Sequence, residues 1–483
     1  MTLTKINTVY FLGIGGIGMS ALAHFFLNQG KQVYGYDLNA TDITSQLTDA
    51  GAHIIFEEDV VQIPKDVDIV IYTPAVPKEH AAYQYFVAHK IPILKRSEIL
   101  GMICSEHPTI AVAGTHGKTT TTAMITQMLA NSKRCAISDM RHGICDIQYS
   151  QISNLKSHIS YVPTVLSFIG GIAKNFNSNF VCEENFDTVI VEADEFDRSF
   201  LTLHPQVAVI TSIDADHLDV YGSKEHLTES FQLFVNQIQL NGVLIIYDEI
   251  ASKIAHPDKI TYGFSDRADY HISNVQYFPT KTTFDLNING LKNQKIFTIN
   301  IPGKHNVLNA VAALTACLEF LSWKNESKVA VGLLQTALSE FSGVKRRFDI
   351  RMQRDDFVYI DDYAHHPEEI KAFLEAVKKC YPEKKLTGVF QPHLYSRTRD
   401  FANEFAEALE ILDEIILLDI YPAREQPIEG ITSNYLLSLI KNKNKKRLTK
   451  EELLPFLQQN KPEVLLTMGA GDIDKLGSVL ESI

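Results

Sequence analysis

The chain has 483 residues, too many for one hydrophobic core, and is expected to fold as about two to four domains. Its 45% hydrophobic and 21% charged residues are ordinary for a soluble globular protein. The net charge of -13 argues against a nucleic-acid partner, and the most basic segment, residues 441–450, is interpreted as a solvated surface.

The cysteines form no C-x-x-C pair and have no zinc-ligand spacing, which indicates reduced thiols and a cytoplasmic location. They are Cys104, Cys135, Cys145, Cys182, Cys317 and Cys380. No signal peptide is expected, because a predicted strand begins almost at the N-terminus. No apolar run approaches the roughly 20 residues that span a membrane, so no membrane partner is expected.

The first predicted strand, residues 8–12, leads into a glycine loop, Gly13-Ile14-Gly15-Gly16-Ile17-Gly18, and a helix. Further strands are predicted at residues 33–36, 67–72 and 91–94. Asp37 ends the second strand, where dinucleotide-binding folds carry a ribose-binding acid. The pattern predicts a Rossmann-like domain over residues 1–107, and it leaves NAD and other nucleotide diphosphates open as ligands.

A second glycine loop, Gly114-Thr115-His116-Gly117-Lys118-Thr119-Thr120, lies between an apolar strand and a helix. The backbone N–H groups of such a loop converge on phosphate oxygens at the helix N-terminus. Lys118 is expected to reach the β- and γ-phosphates, and Thr119 to offer Mg²⁺ a hydroxyl. Because Val112 replaces the first glycine of the Walker pattern, the prediction rests on the shorter Gly-x-x-Gly-Lys-Thr. It places a central ATP-binding domain at residues 108–341.

Acidic residues follow two more predicted strands of this domain. Glu192-Ala193-Asp194-Glu195 follows residues 188–191, and Asp214-Ala215-Asp216-His217-Leu218-Asp219 follows residues 207–213. Such groups at the carboxyl ends of parallel strands, beside a P-loop, are suited to holding metal ions. We therefore predict two Mg²⁺ ions, for which Mn²⁺ can substitute.

Two other segments of the central domain are candidates for ligand contact. Gly170-Gly171 predicts a loop that can approach a ligand closely, although glycine pairs also mark plain turns. His305 and Asn309 share a helical face near the start of a predicted helix, residues 310–321, and a capping turn remains open for them. Residues 135–166 are irregular and are interpreted as a surface insertion.

The last part of the chain predicts another open α/β sheet, over residues 342–483. Its strands are expected at residues 357–360, 386–390, 414–418 and 463–466. Polar residues gather where these strands end, which is where open sheets bind ligands. They include Asp362, Tyr363, His365, His393 and Arg397. Before this sheet, Lys345-Arg346-Arg347 is either a phosphate clamp or a charged linker.

Over nearly its full length, the chain resembles the Mur ligases of peptidoglycan synthesis, and most closely their alanine-adding branch. The resemblance rests on eight motifs in one order: Gly13-Ile14-Gly15-Gly16-Ile17-Gly18-Met19-Ser20, Gly114-Thr115-His116-Gly117-Lys118-Thr119-Thr120, Glu192-Ala193-Asp194-Glu195, Asp216-His217-Leu218-Asp219, His305-Asn306-x-x-Asn309, Arg346-Arg347-Phe348-Asp349, Asp362-Tyr363-Ala364-His365-His366-Pro367 and Gln391-Pro392-His393. It implies three α/β domains: an N-terminal Rossmann-like domain, a central P-loop ATPase with a mostly parallel sheet, and a C-terminal Rossmann-like domain.

The resemblance also implies roles for individual residues. The UDP-sugar would bind Gly15, Gly16, Ile17, Gly18, Asp37, Thr73, Gly170 and Gly171. ATP would bind Gly114, Thr115, Gly117, Lys118, Thr119, Thr120, His305, Asn309 and Arg346. Mg²⁺ would bind Thr119, Glu192 and His217. The amino acid would bind Tyr363, His393 and Arg397. Catalysis would use Lys118, His217, Asp362, His365 and Arg397.

The implied reaction joins L-alanine to the lactyl carboxylate of UDP-N-acetylmuramate through an acyl phosphate, and it consumes ATP. Leu394 occupies a position where some alanine-adding members carry arginine, so Arg397 is the expected partner of the alanine carboxylate. Residues 135–166 are longer than this family usually shows. Phe231-Gln232 lies in the region where later Mur ligases carry a carbamylated lysine, which again favours the alanine-adding branch.

Three alternatives remain open at this stage. A sister ligase that recycles murein tripeptide, by joining it to UDP-N-acetylmuramate, shares both glycine loops. An NAD-dependent dehydrogenase fused to a P-loop module has the first glycine loop as its only support. A non-catalytic sugar-nucleotide sensor would keep the fold, but the intact Lys118, Glu192 and His217 argue against it. A monomer or weak homodimer is expected.

Overall fold

The computed structural model describes residues 3–142, 163–214, 221, 223–288, 295–324, 330–423 and 425–483. They divide into two compact units. The first unit lies within residues 1–273, 286–295 and 308–341, and the second within residues 274–285, 296–307 and 342–483. The domain boundaries proposed from the sequence stay predictions.

The N-terminal sheet has parallel neighbouring strands in the order β3-β2-β1-β4-β5. Its elements are β1 Thr8–Leu12, α1 Ile17–Asn28, β2 Gln32–Tyr36, α2 Asp42–Asp49, β3 His53–Ile55, β4 Ile69–Tyr72, α3 Ala81–Ala88, β5 Ile93–Lys95 and α4 Arg96–Ser105. β1 is buried along its whole length, as expected for a central parallel strand between helices. This is the predicted Rossmann-like arrangement. The sequence pattern misses β3, which has three residues, none of them fully buried.

The central sheet has the strand order β15-β14-β13-β12-β11-β10-β6-β9-β7-β8. Its elements are β6 Thr109–Ala113, α5 Lys118–His142, β7 Val165–Ala173, β8 Ser178–Cys182, β9 Thr188–Glu192, β10 Val207–Ile210, α6 Lys224–Val235, β11 Val243–Tyr247, β12 Lys259–Gly263, β13 Tyr270–Phe278, β14 Lys281–Ile288, β15 Lys295–Ile299, α7 Lys304–Trp323 and α8 Ala330–Ser339. β6 is fully buried and runs parallel to β9 on one side and β10 on the other. The segments that follow these three strands therefore lie side by side, and the second glycine loop follows the middle one.

The C-terminal sheet has the order β16-β17-β21-β18-β19-β20, and β16 alone is antiparallel to its neighbour among the described pairs. Its elements are β16 Asp349–Gln353, β17 Val358–Asp362, α9 Pro367–Cys380, β18 Leu386–Phe390, α10 Tyr395–Asp400, α11 Ala402–Leu409, β19 Glu414–Leu417, α12 Ser433–Leu439, β20 Lys445–Arg447, α13 Lys450–Gln459, β21 Val464–Met468 and α14 Gly477–Leu480. The predicted open α/β sheet is present. The sequence pattern misses both edge strands, which are short or only partly buried.

The basic segment, residues 441–450, lies at the surface, with every residue exposed or partly exposed, and it also contains a short strand. It contains the edge strand β20, where Lys446 Nζ lies 2.9 Å from Glu414 Oε1 and Arg447 Nε lies 2.6 Å from Asp419 Oδ1. Lysine-rich edge strands are a common way to prevent unwanted strand pairing with another chain. Two of the cationic side chains of this segment, Lys446 and Arg447, are therefore paired with carboxylates of the same sheet.

Three expectations from the sequence need correction. Gly170 and Gly171 lie inside β7 and form no loop. α5 continues to His142, so the start of the segment proposed as irregular is helical, while residues 143–162 lie outside the described residues. Among the described residues, α7 is long and apolar enough by length and composition to cross a membrane. Most of α7 is buried inside the protein, the pattern of a core helix.

Candidate active site

The second glycine loop has a backbone that only glycine adopts readily. Gly114 has φ +138° and Gly117 has φ +83°, both in the left-handed region. A Cβ at Gly114 would lie 2.1 Å from Thr211 Oγ1, and one at Gly117 would lie 2.4 Å from Asn309 Oδ1. The loop is thus held between the segment after β10 and the buried Asn309 of α7. Asn309 therefore lies beside the loop, and its contact with ATP stays a prediction.

The ammonium group of Lys118 lies against the loop that carries it. Nζ donates to the carbonyl oxygen of Gly114 at 2.6 Å and to Glu195 Oε1 at 2.8 Å, with a longer contact of 3.5 Å to the carbonyl oxygen of Thr115. Burial alone would lower the pKa of Lys118, but Glu195 and the neighbouring carboxylates outweigh it and raise that pKa. Lys118 therefore presents a fixed positive charge at neutral pH.

Thr119 and Glu192, the two described residues predicted to bind Mg²⁺, are in contact. Thr119 Oγ1 donates to Glu192 Oε2 at 2.8 Å, and the backbone N–H of Gly170 donates to the same oxygen at 3.0 Å. The described residues contain no group of three His, Cys, Asp or Glu side chains that could hold a metal ion. His217 lies outside the described residues. A hydroxyl and a carboxylate at a P-loop fit Mg²⁺, because phosphate oxygens and water usually complete the coordination shell of this ion.

The segment after β10 supports the loop from behind. Ser212 Oγ lies 2.8 Å from Thr115 Oγ1 and accepts the backbone N–H of His116 at 2.8 Å. Thr211 Oγ1 donates to the carbonyl oxygen of Ala113 at 3.2 Å. Sequence reasoning passed over Thr211 and Ser212, although their place directly after a strand adjacent to β6 was the available signal. Thr120 is buried at the start of α5.

The first glycine loop also joins its predicted partners. Gly13 has φ +85°, and a Cβ there would lie 2.7 Å from Thr73 Cγ2. The backbone N–H of Gly15 donates to Asp37 Oδ2 at 2.7 Å. The structure therefore brings Thr73 and Asp37 to this loop. Gly170, predicted for the same ligand, lies against Glu192 instead.

The first turn of α1 is tied to the central sheet by Asn179 and Arg96, and sequence reasoning assigned no role to Arg96. Asn179 of β8 donates to the carbonyl oxygen of Ile17 at 2.5 Å and to Ser20 Oγ at 3.0 Å. Arg96 crowds Gly18, where a Cβ would lie 3.0 Å from its Nη1. Arg96 Nη2 also lies 3.4 Å from Asp194 Oδ2, within the acidic segment after β9. Contacts between residues so far apart in the chain leave no periodic signal in the sequence.

In the second unit, the residues predicted for the amino acid cluster after β17 and β18. The His365 ring lies 5.3 Å from that of Tyr363 and 6.1 Å from that of His393, measured between centroids. His365 Nδ1 lies 3.1 Å from Glu369 Oε2, and the positive charge of Arg397 acts on His393. The cluster combines cationic and hydrogen-bonding groups of the kind that an amino acid requires.

Asp362, predicted to be catalytic, holds the backbone of its own loop. Oδ2 accepts the N–H of Phe348 at 2.6 Å and Oδ1 accepts the N–H of Ala364 at 2.8 Å. Burial raises the pKa of Asp362 to about 7, and this effect is opposed by Arg347 and by the two N–H donors. Both oxygens are thus already engaged, and a direct role in the reaction stays a prediction.

Arg346 is held within the C-terminal sheet. Nε donates to Asp361 Oδ2 at 3.2 Å, Nη2 donates to the carbonyl oxygen of Gly469, and the guanidinium lies 5.0 Å from the centroid of the Tyr363 ring. These contacts make it more than a charged linker. His305 packs beside Gly303 at the start of α7. The ATP contacts of Arg346 and His305 stay predictions.

The burial of His393 predicts how the His393→Gln substitution changes the acid dependence of protein stability. Burial lowers its pKa to about 4, and His365 and Arg397 add to the effect. A free histidine has a pKa of about 6.5, so acid protonates the unfolded state first. The contribution of neutral His393 to stability is present above about pH 6.5 and is lost towards pH 4. We expect His393→Gln to lower the acid dependence of the free energy of unfolding, measured by urea titration. If the free energy of unfolding of the variant fell with acid as steeply as that of the wild type, the lowered pKa of His393 would be contradicted.

The fold and this site define a P-loop nucleotide-binding α/β protein with a second nucleotide-type glycine loop. Family models match nearly the whole chain: the Mur ligase family catalytic domain at residues 8–108, the Mur ligase middle domain at residues 112–317, and the Mur ligase glutamate ligase domain at residues 346–471. The chain therefore belongs to the Mur ligase family, as the motifs predicted.

Relatives match over the full length. UDP-N-acetylmuramate--L-alanine ligase of Flavobacterium psychrophilum is 43% identical over 480 residues, which cover 99% of this chain and 98% of that protein. The crystal structure of UDP-N-acetylmuramate-alanine ligase MurC from Thermotoga maritima matches with a TM-score of 0.77 and 27% identity, over 98% of both chains. A murein peptide ligase from Psychrobacter arcticus has a TM-score of 0.67 and 20% identity over 99% of both chains, which shows the shared fold. The predicted three-domain α/β fold is confirmed.

Proposed function

We propose that this protein is an ATP-dependent ligase that joins L-alanine to the lactyl carboxylate of UDP-N-acetylmuramate. The observation that carries the proposal is the 43% identity, over 99% of the chain, to a relative named for that reaction. The P-loop supports the ATP-dependent part, because Lys118 pairs with Glu195 and Thr119 contacts Glu192. Family membership removes the dehydrogenase alternative, because its only support was the first glycine loop, now assigned to a UDP-sugar.

ATP and Mg²⁺ are assigned to the second glycine loop. Thr119 and Glu192 would hold one Mg²⁺ and His217 would take part in a second site, with Mn²⁺ as a substitute. When bound, the metal offsets negative charge on the phosphoryl oxygens. Lys118 reaches the same oxygens, the N–H groups of the loop hold them, and Asn309 lies against the loop beside them.

The chemistry needs a better leaving group than the oxide of a carboxylate. The γ-phosphoryl group of ATP passes to a lactyl carboxylate oxygen, so an acyl phosphate forms and ADP leaves. The alanine amine then attacks the acyl carbon, phosphate leaves with its bonding electrons, and the amine loses a proton. Lys118 stabilises the charge that develops on the transferred phosphoryl group, and positioning supplies much of the rate.

The C-terminal cluster is assigned to alanine. Arg397 would pair with its carboxylate, and Tyr363 and His393 would contact the remainder. His365 is the better candidate for receiving the proton of the amine, because both oxygens of Asp362 already accept backbone N–H groups. Neutral His393 beside it avoids a second positive charge close to the incoming ammonium group.

The first glycine loop is assigned to the UDP-sugar, with Gly15, Gly16, Ile17, Gly18, Asp37 and Thr73 in contact. The N-terminus of α1 supplies N–H donors and a favourable dipole for the diphosphate. Gly170 and Gly171 are assigned to the same ligand, and the backbone N–H of Gly170 also donates to Glu192. The protein is further proposed to be cytoplasmic and a monomer or weak homodimer, without membrane or nucleic-acid partners.

Gly170 gives a direct test of the metal assignment. A Cβ at this position would lie 2.2 Å from Glu192 Oε2, so Gly170→Ala must displace the carboxylate. We expect the Mg²⁺ concentration for half-maximal ADP formation to rise by about 10-fold or more, as when the support of a metal ligand is lost. Gly332→Ala, where a Cβ meets nothing within 4 Å, is the control. An unchanged Mg²⁺ requirement in Gly170→Ala would argue against Glu192 as the metal ligand.

Product identification separates this ligase from the tripeptide-recycling alternative. The purified protein is incubated with ATP, Mg²⁺ and UDP-N-acetylmuramate together with either L-alanine or the murein tripeptide. We expect mass spectrometry to detect the alanyl sugar nucleotide in the first reaction and only starting material in the second. Formation of the tripeptide product alone would overturn the proposal.

A further inference from the structure

The acidic segment after β9 places two glutamates three residues apart in different environments. Glu192 ends the strand and contacts Thr119 and Gly170. Glu195 is fully buried and contacts Lys118. The proposed function uses Glu192 and leaves this second carboxylate unassigned, although it is the charged group nearest to the P-loop lysine.

The geometry at Lys118 distinguishes its three N–H donors. Two of them are engaged by strong acceptors, the carbonyl oxygen of Gly114 at 2.6 Å and Glu195 Oε1 at 2.8 Å. The remaining contact, to the carbonyl oxygen of Thr115, is long at 3.5 Å. An ammonium group fixed by two acceptors directs its third N–H along a single line. This third N–H can donate to a phosphoryl oxygen while the hydrogen bonds to Gly114 and Glu195 remain in place.

Hydrogen bonds to the backbone hold Glu195 in place. Its carbonyl oxygen accepts the N–H of Arg198 at 2.9 Å and the hydroxyl of Tyr221. One residue earlier, the carbonyl oxygen of Asp194 accepts the N–H of Phe200 at 3.0 Å. The carboxylate is therefore presented to Lys118 from a segment held by three hydrogen bonds. A buried carboxylate is stable only when it is paired, so the lysine and the glutamate hold each other in place.

We infer that Glu195 is a positioning residue for the ligase reaction, because its buried carboxylate orients the ammonium group of Lys118 towards the transferred phosphoryl group. This inference rests on the proposed function and assigns Glu195 a role separate from metal binding. The charge on Lys118 is needed most when negative charge develops on the phosphoryl oxygens. Loss of its orientation should therefore lower kcat more than it weakens the binding of either nucleotide.

The test is Glu195→Gln, which keeps the size of the side chain and removes its charge. We expect kcat for ADP formation, with L-alanine and UDP-N-acetylmuramate present, to fall by about 10- to 100-fold, the scale of loss when a partner that orients a metal ligand is removed. The KM for UDP-N-acetylmuramate and the Mg²⁺ concentration for half-maximal rate should stay within about 3-fold of the wild type. The retained Mg²⁺ requirement separates this role from that of a metal ligand.

Glu414→Gln is the matched control, because Glu414 is also a buried carboxylate paired with lysine, at 3.0 Å from Lys385 Nζ. It should lower the melting temperature and leave kcat unchanged. If Glu195→Gln only lowers the melting temperature in the same way, the inference is overturned. Glu195→Asp keeps the charge and should recover part of kcat relative to Gln. Should the Gln variant not fold, a folded Asp variant with the kcat of the wild type overturns the inference, and one at least fivefold slower supports it.

The two proposals fail in different ways. If the wild type forms no ADP in the presence of both L-alanine and UDP-N-acetylmuramate, the proposed function fails. If the wild type is active and the folded Glu195→Gln variant matches its kcat, the ligase assignment stands and only the role of Glu195 is lost.

Discussion

Lys118→Ala is expected to reduce ADP formation by at least about 1,000-fold, the upper range for removing one preorganised donor to a transition state. The substitution removes the positive charge that meets the transferred phosphoryl group, while the first glycine loop keeps its contacts with Asp37 and Thr73. Binding of UDP-N-acetylmuramate, measured by calorimetry without ATP, should stay within about 3-fold of the wild type.

Lys385→Ala provides the matched control, since Lys385 is another lysine paired with a buried glutamate, Glu414. It should retain the rate of the wild type. A Lys118→Ala variant that binds the sugar nucleotide and turns over within about 10-fold of the wild type would remove Lys118 from the mechanism. Loss of sugar-nucleotide binding in this variant would show instead that the two glycine loops do not act as separate sites.

Glu192→Gln is expected to have the second largest effect, on the metal requirement. A neutral amide is a weaker ligand for Mg²⁺ than a carboxylate, because hard divalent cations prefer charged oxygen donors. We expect the Mg²⁺ concentration for half-maximal ADP formation to rise by about 10- to 100-fold, with kcat lowered even at saturating Mg²⁺. The measurement is the rate of ADP release over a titration of Mg²⁺.

Glu183→Gln controls for the structural part of this change. Like Glu192, Glu183 accepts a backbone N–H from β7, in its case that of Val165 at 2.7 Å. Each of the two variants therefore replaces a carboxylate that accepts a backbone N–H of β7. A shared rise in the Mg²⁺ requirement would mean that distortion of β7, rather than loss of a metal ligand, explains the effect of Glu192→Gln.

The parts of the fold that the sequence predicts are those with continuous apolar runs. β1, β6 and β9 are buried along nearly their whole length, and their Val- and Ile-rich segments indicate parallel strands directly. The glycine loops after β1 and β6 were predicted because each glycine pattern directly follows one of these apolar strands. The edge strands β3 and β20 were missed, because short, polar or half-exposed strands carry no such pattern.

The candidate site was predicted where chemistry depends on residue type at a fixed spacing. Lys118 and Thr119 follow the glycine loop, and Glu192 lies at a strand end, so topology alone brings Glu192 to the loop. The role of Gly170 was not accessible in this way. It lies inside a strand, and it is required because a Cβ would meet a carboxylate from the neighbouring strand.

Long-range pairing is the information that the sequence pattern lacks. The contact of Glu195 with Lys118 joins residues 77 positions apart, and that of Arg96 with Asp194 joins residues 98 apart. For Asp362, the residue type and its place after a strand suggested a catalytic role. In the structure, both of its carboxylate oxygens accept backbone N–H groups instead. Only coordinates distinguish a carboxylate that faces a ligand from one that supports a loop.

The most direct test of the ligase assignment is ADP release from the purified protein with ATP, Mg²⁺ and UDP-N-acetylmuramate, measured with and without L-alanine. We predict release that depends on both the sugar nucleotide and L-alanine. Release that appears only with the murein tripeptide would identify the recycling enzyme, and no release with either acceptor would return the protein to the sensor alternative. Both of these results would contradict the account.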